Sequence, residues 1–170
     1  MAGSSPDQPW RRCYEQLAPK LLLFARQWLS SSADAEDAVQ AGFVKFWQHQ
    51  PEAKPEHYPL LYAAVRSAAL DFLRSHDRRL RREAAACELV EDRFFDVPIE
   101  RREQADTLEA ALRKLSAEQR EVLVLRIWGE LTFAEIATAL DASINTITSR
   151  YRHALEALRR LLRTHEYERV

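Results

Sequence analysis

Apolar side chains return at three- and four-residue steps along most of this chain, and that spacing constrains its fold more than any other feature. Tyr14, Leu17, Leu21, Phe24 and Trp28 form the first such stripe, the buried face of an α-helix. Ser30-Ser31-Ser32 is read as the end of that helix. A second helix over residues 34–48 places Ala35, Ala38, Val39, Gly42, Phe43 and Phe46 inward. Three prolines between Pro51 and Pro59 require a loop. A third, long helix over residues 60–82 turns Leu61, Val65, Ala68, Phe72 and Leu73 inward. With only three glycines in 170 residues, and Ala, Leu, Glu and Arg dominant, intrinsic propensity agrees with the periodicity. The expected fold class is all-α.

Beyond residue 82 the pattern fades. Residues 83–104 are acidic, weakly periodic and interrupted by Pro98, which reads as a linker, partly helical at most. Leu108, Leu112 and Leu115 then open another helix. Ser116 and Gln119 have the spacing of a capping box, starting a helix that carries Val122, Leu123 and Ile127 and closes at Gly129. Thr132 and Glu135 make a second capping box, for a helix ending near Leu140. A last helix covers residues 145–164. The expected organisation is two small helical domains, residues 10–82 and 106–165, joined by an acidic linker over 83–105.

Charge follows the same division. The whole chain carries a formal net charge of −1. Residues 1–82 hold 12 basic and 9 acidic groups, residues 83–112 hold 3 and 9, and residues 113–170 hold 10 and 8. Two mildly basic segments therefore flank an acidic one, and the distribution leaves room for nucleic-acid binding that the total would disguise. No window approaches ~18 consecutive apolar residues, so no transmembrane helix or membrane insertion is expected. The polar N-terminus lacks the apolar core of a signal peptide, which puts the chain in the cytoplasm. There Cys13 and Cys87 should be reduced, structurally minor thiols. The five histidines are scattered and no Gly-rich phosphate loop is present, so neither a metal, a cofactor nor an enzymatic site is expected.

Residues 132–162 have the spacing of a helix-turn-helix. Ile136, Ala137 and Leu140 face inward from a short helix, and Ile147, Tyr151, Ala154 and Leu158 from the next. Ala137 is small where two helices would cross closely, and Asp141 stands in the turn, where a left-handed backbone is needed. Such a motif pushes its second helix into the major groove. At 100° per residue, Asn145, Thr148, Ser149, Arg152 and His153 point outward there. Arg and His can donate to guanine edges or phosphates, and Ser and Thr to either. Arg150, Arg159, Arg160 and Arg163 are placed for phosphate contact or solvation. A plain amphipathic hairpin with a solvated face has the same spacing.

Three segments carry a family resemblance. Leu115-Ser116-Ala117-Glu118-Gln119-Arg120-Glu121-Val122, Leu131-Thr132-Phe133-Ala134-Glu135-Ile136-Ala137 and Asn145-Thr146-Ile147-Thr148-Ser149-Arg150-Tyr151 resemble region 4 of sigma-70 family RNA polymerase sigma factors, most closely the extracytoplasmic-function (ECF) group. Asp34-Ala35-Glu36-Asp37-Ala38-Val39-Gln40-Ala41-Gly42-Phe43-Val44-Lys45-Phe46-Trp47 resembles region 2.2 of the same group. Ala69-Leu70-Asp71-Phe72-Leu73-Arg74 resembles the Asp-x-x-Arg signature of the following region 2 helix.

The resemblance implies an alternative sigma factor that binds core RNA polymerase and directs promoter-specific initiation. It implies −35 duplex contacts from Asn145, Thr146, Thr148, Ser149, Arg150, Arg152 and His153. It implies contacts to the melted −10 element from Arg66, Ser67, Asp71, Arg74, Arg78 and Arg81, within an arginine cluster that neutralises phosphates. Asp37, Gln40 and Val44, on the outer face of the second helix, become polymerase contacts. An anti-sigma factor is a further partner that the resemblance allows. Departures from the family pattern stand at Leu60, where a Trp is usual, Ser67 for Asn, Asn145 for Gly, and Thr148 for a basic residue. Gly42 replaces a larger apolar residue and weakens its helix by about 1 kcal/mol relative to Ala. A stand-alone helix-turn-helix regulator would explain the C-terminal half alone. An inactive sigma-like protein that titrates a partner is the third reading.

Overall fold

The computed structural model describes the backbone of residues 9–82 and 102–167, and the side chains of residues 10–76 and 102–163. Every regular element in it is helical. The chain divides into two compact units, Met1–Val90 and Glu91–Val170.

The first unit is built from α1 (Pro9–Ala25), α2 (Ser32–His49) and α3 (Tyr58–Arg82), with one 3-10 turn, Pro55–His57, leading into α3. Pro9 opens α1, where its missing N–H costs nothing. The helix continues through Pro19, on an exposed face where water can solvate the carbonyl left without a partner. It stops at Ala25, one turn earlier than the stripe ending at Trp28 suggests. Trp28 still packs on the core, its ring edge-on to Phe24 at 4.9 Å. The serines after it start the next helix rather than end this one: Ser31 is the N-cap of α2, its hydroxyl accepting the Asp34 N–H at 3.3 Å. The loop of prolines is shorter than expected, because Pro59 sits in the first turn of α3 and is buried.

The inner face of α2 is Ala35, Ala38, Val39, Gly42, Phe43 and Phe46, as the periodicity requires. It packs on both α1 and α3. At the α2–α3 crossing a Cβ on Gly42 would lie 2.7 Å from Val65 Cα and Cγ2 and 2.8 Å from Val65 N. Glycine is there because the two backbones meet, which the propensity argument alone counts only as a weakness. From α3, Leu61, Tyr62, Val65 and Ala69 are buried, whereas Ala68, Phe72 and Leu73 are half-buried. Cys13 is buried in the same core, and burial pushes its thiol up, against a hydrogen bond with Tyr58. Cys87 lies outside the described residues.

The second unit contains α4 (Arg102–Arg113), α5 (Ala117–Ile127), α6 (Phe133–Leu140) and α7 (Ile144–Tyr167). Residues 83–101 of the expected linker lie outside the described residues; its last four, 102–105, are already helix α4. The core joins Leu112 and Leu115 to Leu123 and Ala154. Both capping boxes form. Gln119 N–H donates to Ser116 Oγ and Ser116 N–H to Gln119 Oε1, each at 3.3 Å. Of the apolar residues read on this helix, Val122 and Leu123 are buried and Ile127 is 44% exposed; Val124 and Leu125 are buried as well. Gly129 follows α5 without adopting a left-handed backbone. Glu130 does so at φ 59°, while a Cβ on Gly129 would meet Leu125 O at 2.6 Å. No described helix is long and apolar enough to cross a membrane.

Candidate nucleic-acid and partner interface

The helix-turn-helix of the second unit is fixed by local hydrogen bonds at both of its helix starts. At α6, Glu135 N–H donates to Thr132 Oγ1 at 3.3 Å. In return Glu135 Oε2 accepts from the Thr132 N–H and hydroxyl, each at 2.7 Å. Those donors favour the charged form and hold the Glu135 carboxyl below the usual glutamate range. The helix ends on Asp141 in the left-handed region, φ 50° and ψ 53°, as its place in the turn predicts. Ala142 N–H then returns to Ala137 O at 3.0 Å. Ser143, which the sequence reading passed over, starts α7: its Oγ accepts the Thr146 N–H at 3.1 Å and lies 2.8 Å from Thr146 Oγ1.

Ile136, Ala137 and Ile147 are buried between α6 and α7, and Phe133 packs on Tyr151 with ring centroids 5.3 Å apart. Arg126 lies 5.2 Å over the Phe133 ring and donates to Leu131 O at 2.8 Å, which ties the end of α5 to the motif. The opposite face of α7 is open. Asn145, Thr146, Thr148, Arg152 and His153 are exposed, and Ser149 and Arg150 are half-buried. Their hydrogen-bonding groups are not equally available. The Thr146 hydroxyl belongs to the Ser143 cap, and the Thr148 hydroxyl donates to Ile144 O at 2.9 Å. Ile144, at the tip of α7, is 51% exposed beside a shallow cleft with Ala134, Thr138 and Asp141. Starting the helix at residue 145 hides that apolar residue from a sequence reading; the Ser143-to-Thr146 spacing is the signal that would have found it.

In the first unit, Ser67, Asp71 and Arg74 share an exposed face of α3, and Arg66 beside them is half-buried. Arg74 Nη1 donates to Asp71 Oδ1 at 3.0 Å. Both side chains are about two-thirds exposed, at 67% and 65%, so solvent screens this pair and it can exchange for a phosphate at little cost. Arg78 and Arg81 continue the same helix, but their side chains lie outside the described residues.

On α2, Asp37, Gln40 and Val44 are exposed, Val44 by 55%. Gln40 and Val44 line an open apolar groove of about 570 Å³ with Trp10, Tyr14, Phe43 and Trp47. Trp10, 44% exposed, was not singled out from sequence, and Tyr14 was read only as part of the inward stripe of α1. Their four-residue spacing on α1 would have found them only once α1 was known to lie along α2. Beneath the groove the Trp47 indole Nε1–H is buried with no hydrogen-bond partner. Among the described residues no group of three or more His, Cys, Asp or Glu could hold a metal ion.

Two family models match the chain, "Sigma-70 region 2" over residues 13–79 and "Sigma-70, region 4" over residues 105–158. The "ECF RNA polymerase sigma factor SigL" of Mycobacterium tuberculosis is 31% identical over 156 residues, 88% of this chain and 86% of that protein. The "ECF RNA polymerase sigma factor SigK" of Mycobacterium bovis is 29% identical over 141 residues, 79% and 75% of the two. Among solved structures, the sigma factor RpoE in complex with the anti-sigma factor NepR from Bartonella quintana aligns with a TM-score of 0.69. Identity is 23%, over 92% of this chain and 98% of that one. CnrH in complex with the cytosolic domain of CnrY gives 0.66 at 20% identity, over 94% and 91%. These two likenesses speak for the fold.

Proposed function

The chain belongs to the sigma-70 family of RNA polymerase sigma factors, in its ECF group, and from that premise we propose how its two units divide the work of an alternative sigma factor. The protein directs promoter-specific transcription initiation. The observation that carries this reading is that both family regions are present in order, each on its own folded unit. A stand-alone regulator has no use for the first.

The second unit, residues 106–165, reads the duplex −35 element. Its α7, which follows the Asp141 turn and the Ser143 cap, enters the major groove, where Asn145, Thr148, Ser149, Arg152 and His153 face base edges and Thr146 and Arg150 flank them. The first unit, residues 10–82, binds core polymerase and the melted −10 element. Arg66, Ser67, Asp71, Arg74, Arg78 and Arg81 form the strand surface on α3. Holding an unstacked base there costs a few kcal/mol, which phosphate and stacking contacts offset. Asp37, Gln40 and Val44 contact the polymerase, and the apolar groove beside them suits one face of a partner helix. Residues 83–105 join the units.

Catalysis belongs to the polymerase, and this chain supplies address and strand opening, without cofactor or metal. It works in the cytoplasm, and an anti-sigma factor is its regulatory partner, as the structural neighbours' partners suggest. The decisive experiment adds the purified chain to sigma-free core polymerase on a pool of promoter fragments. Promoter-specific run-off transcripts are expected. Absence of any association with core would sink the proposal.

A further inference from the structure

Thr148 is one of the exposed residues of α7, and its surroundings decide which of its groups can meet a base. It lies in the second turn of α7, on the exposed face. A threonine has two groups to offer, a hydroxyl and a methyl. The hydroxyl proton is committed, because Oγ1 donates to Ile144 O at 2.9 Å within the same helix. The neighbouring Thr146 hydroxyl is held by the Ser143 cap. The Thr148 hydroxyl therefore has no proton left to donate to a base, and its oxygen can only accept. Beside that acceptor, the other group Thr148 can offer is its γ-methyl, on an otherwise polar exposed face.

In the major groove one base edge is apolar, the 5-methyl of thymine, and a threonine methyl is a suitable partner for it. We propose that Thr148 is a specificity-determining residue of this protein and that it selects a thymine in the −35 element by methyl-to-methyl contact. The inference rests on the reading of α7 as the −35 helix. A basic residue at this position would donate to guanine N7 and O6 or to a phosphate. With threonine, the site loses that donor, and a promoter with thymine at the facing position is favoured.

The test separates methyl from hydroxyl on both sides of the contact. Holoenzyme reconstituted with the full chain selects its preferred duplex from a randomised −35 pool. Each thymine of that duplex is then replaced in turn by deoxyuridine, which removes only the 5-methyl. At one position the wild-type protein should lose affinity about fourfold, the worth of one buried methyl. Thr148→Ser, which deletes the protein methyl, should show the same loss on the thymine duplex and no further loss on the uracil one. Thr148→Val, which keeps a methyl and deletes the hydroxyl, should bind as wild type and remain sensitive to uracil.

The proposal is overturned if Thr148→Val loses binding while Thr148→Ser keeps it, since the hydroxyl is then the contact. It is also overturned if no thymine's sensitivity to uracil depends on residue 148. Arg152→Ala is the control for the underlying reading. If it binds the selected duplex like wild type, or if no sequence is selected, α7 is not the −35 helix and both fall together.

Discussion

A single methyl group added at Gly42 meets two opposed effects whose magnitudes can be compared. Helix propensity favours alanine over glycine by about 1 kcal/mol. Against it, the new Cβ would lie 2.7 Å from the Val65 backbone, which belongs to a packed helix and cannot swing away. Overpacking of that kind costs roughly 1–3 kcal/mol. Gly42→Ala should therefore destabilise the first unit by up to about 2 kcal/mol. Urea denaturation followed by circular dichroism measures it. A more stable variant would show that α2 and α3 can part at this crossing without loss. Val44, two residues on, faces solvent and carries no such penalty.

At the scale of elements, the turn between α6 and α7 decides where α7 points. Asp141 holds a left-handed backbone, which costs an ordinary L-residue roughly 1–2 kcal/mol and glycine almost nothing. Asp141→Gly should match or exceed the wild type in thermal stability, and Asp141→Ala should fall below Asp141→Gly by about 1 kcal/mol. Equal melting temperatures for the two variants would contradict this account of the turn. The capping box at the start of α6 gives a pH prediction. Glu135 titrates below the usual glutamate range because the Thr132 N–H, and then its hydroxyl, hold the charged form. A depressed folded-state pKa means that the stabilisation is complete above the unfolded-chain value and disappears as pH falls through the folded one. The stability gap between wild type and Glu135→Gln should be constant near neutrality and close below the glutamate range. A gap that widens in acid would reverse the sign and refute the assignment.

For the whole molecule, a net charge of −1 makes general attraction to DNA weak, so binding must come from local basic surfaces. The two units should then respond separately to mutation. Arg152→Ala should weaken duplex −35 binding, costing ~1–3 kcal/mol if the side chain grips a guanine edge, and should relax preference at one base pair. Arg74→Ala should leave that footprint intact and slow opening at the −10 element, with a salt slope shallower by about one. Footprinting and opening rates at several salt concentrations distinguish the two. Matching profiles for both variants would mean the division of labour is wrong.

Much of this was legible in the residues themselves. The buried face of α2, both capping boxes and the left-handed Asp141 follow from periodicity and local hydrogen-bonding chemistry, which act over a few residues. The exposed face of α7 follows for the same reason, since one rotation angle places every side chain on a helix. The limits of that reasoning show at helix ends. The serines after Trp28 cap α2 rather than close α1, Ser143 starts α7 unannounced, and Ile127 is left in water. An end depends on which neighbour covers the last turn, and periodicity carries no such information. The tertiary structure alone explained Gly42, whose reason is Val65 on another helix, and it alone brought Trp10 and Tyr14 beside Gln40 and Val44 in one groove. It also showed that the hydroxyls of Thr146 and Thr148 are already engaged. Sequence determined which faces exist, because faces are local. Only packing decided what each face meets, because that depends on segments far apart in the chain.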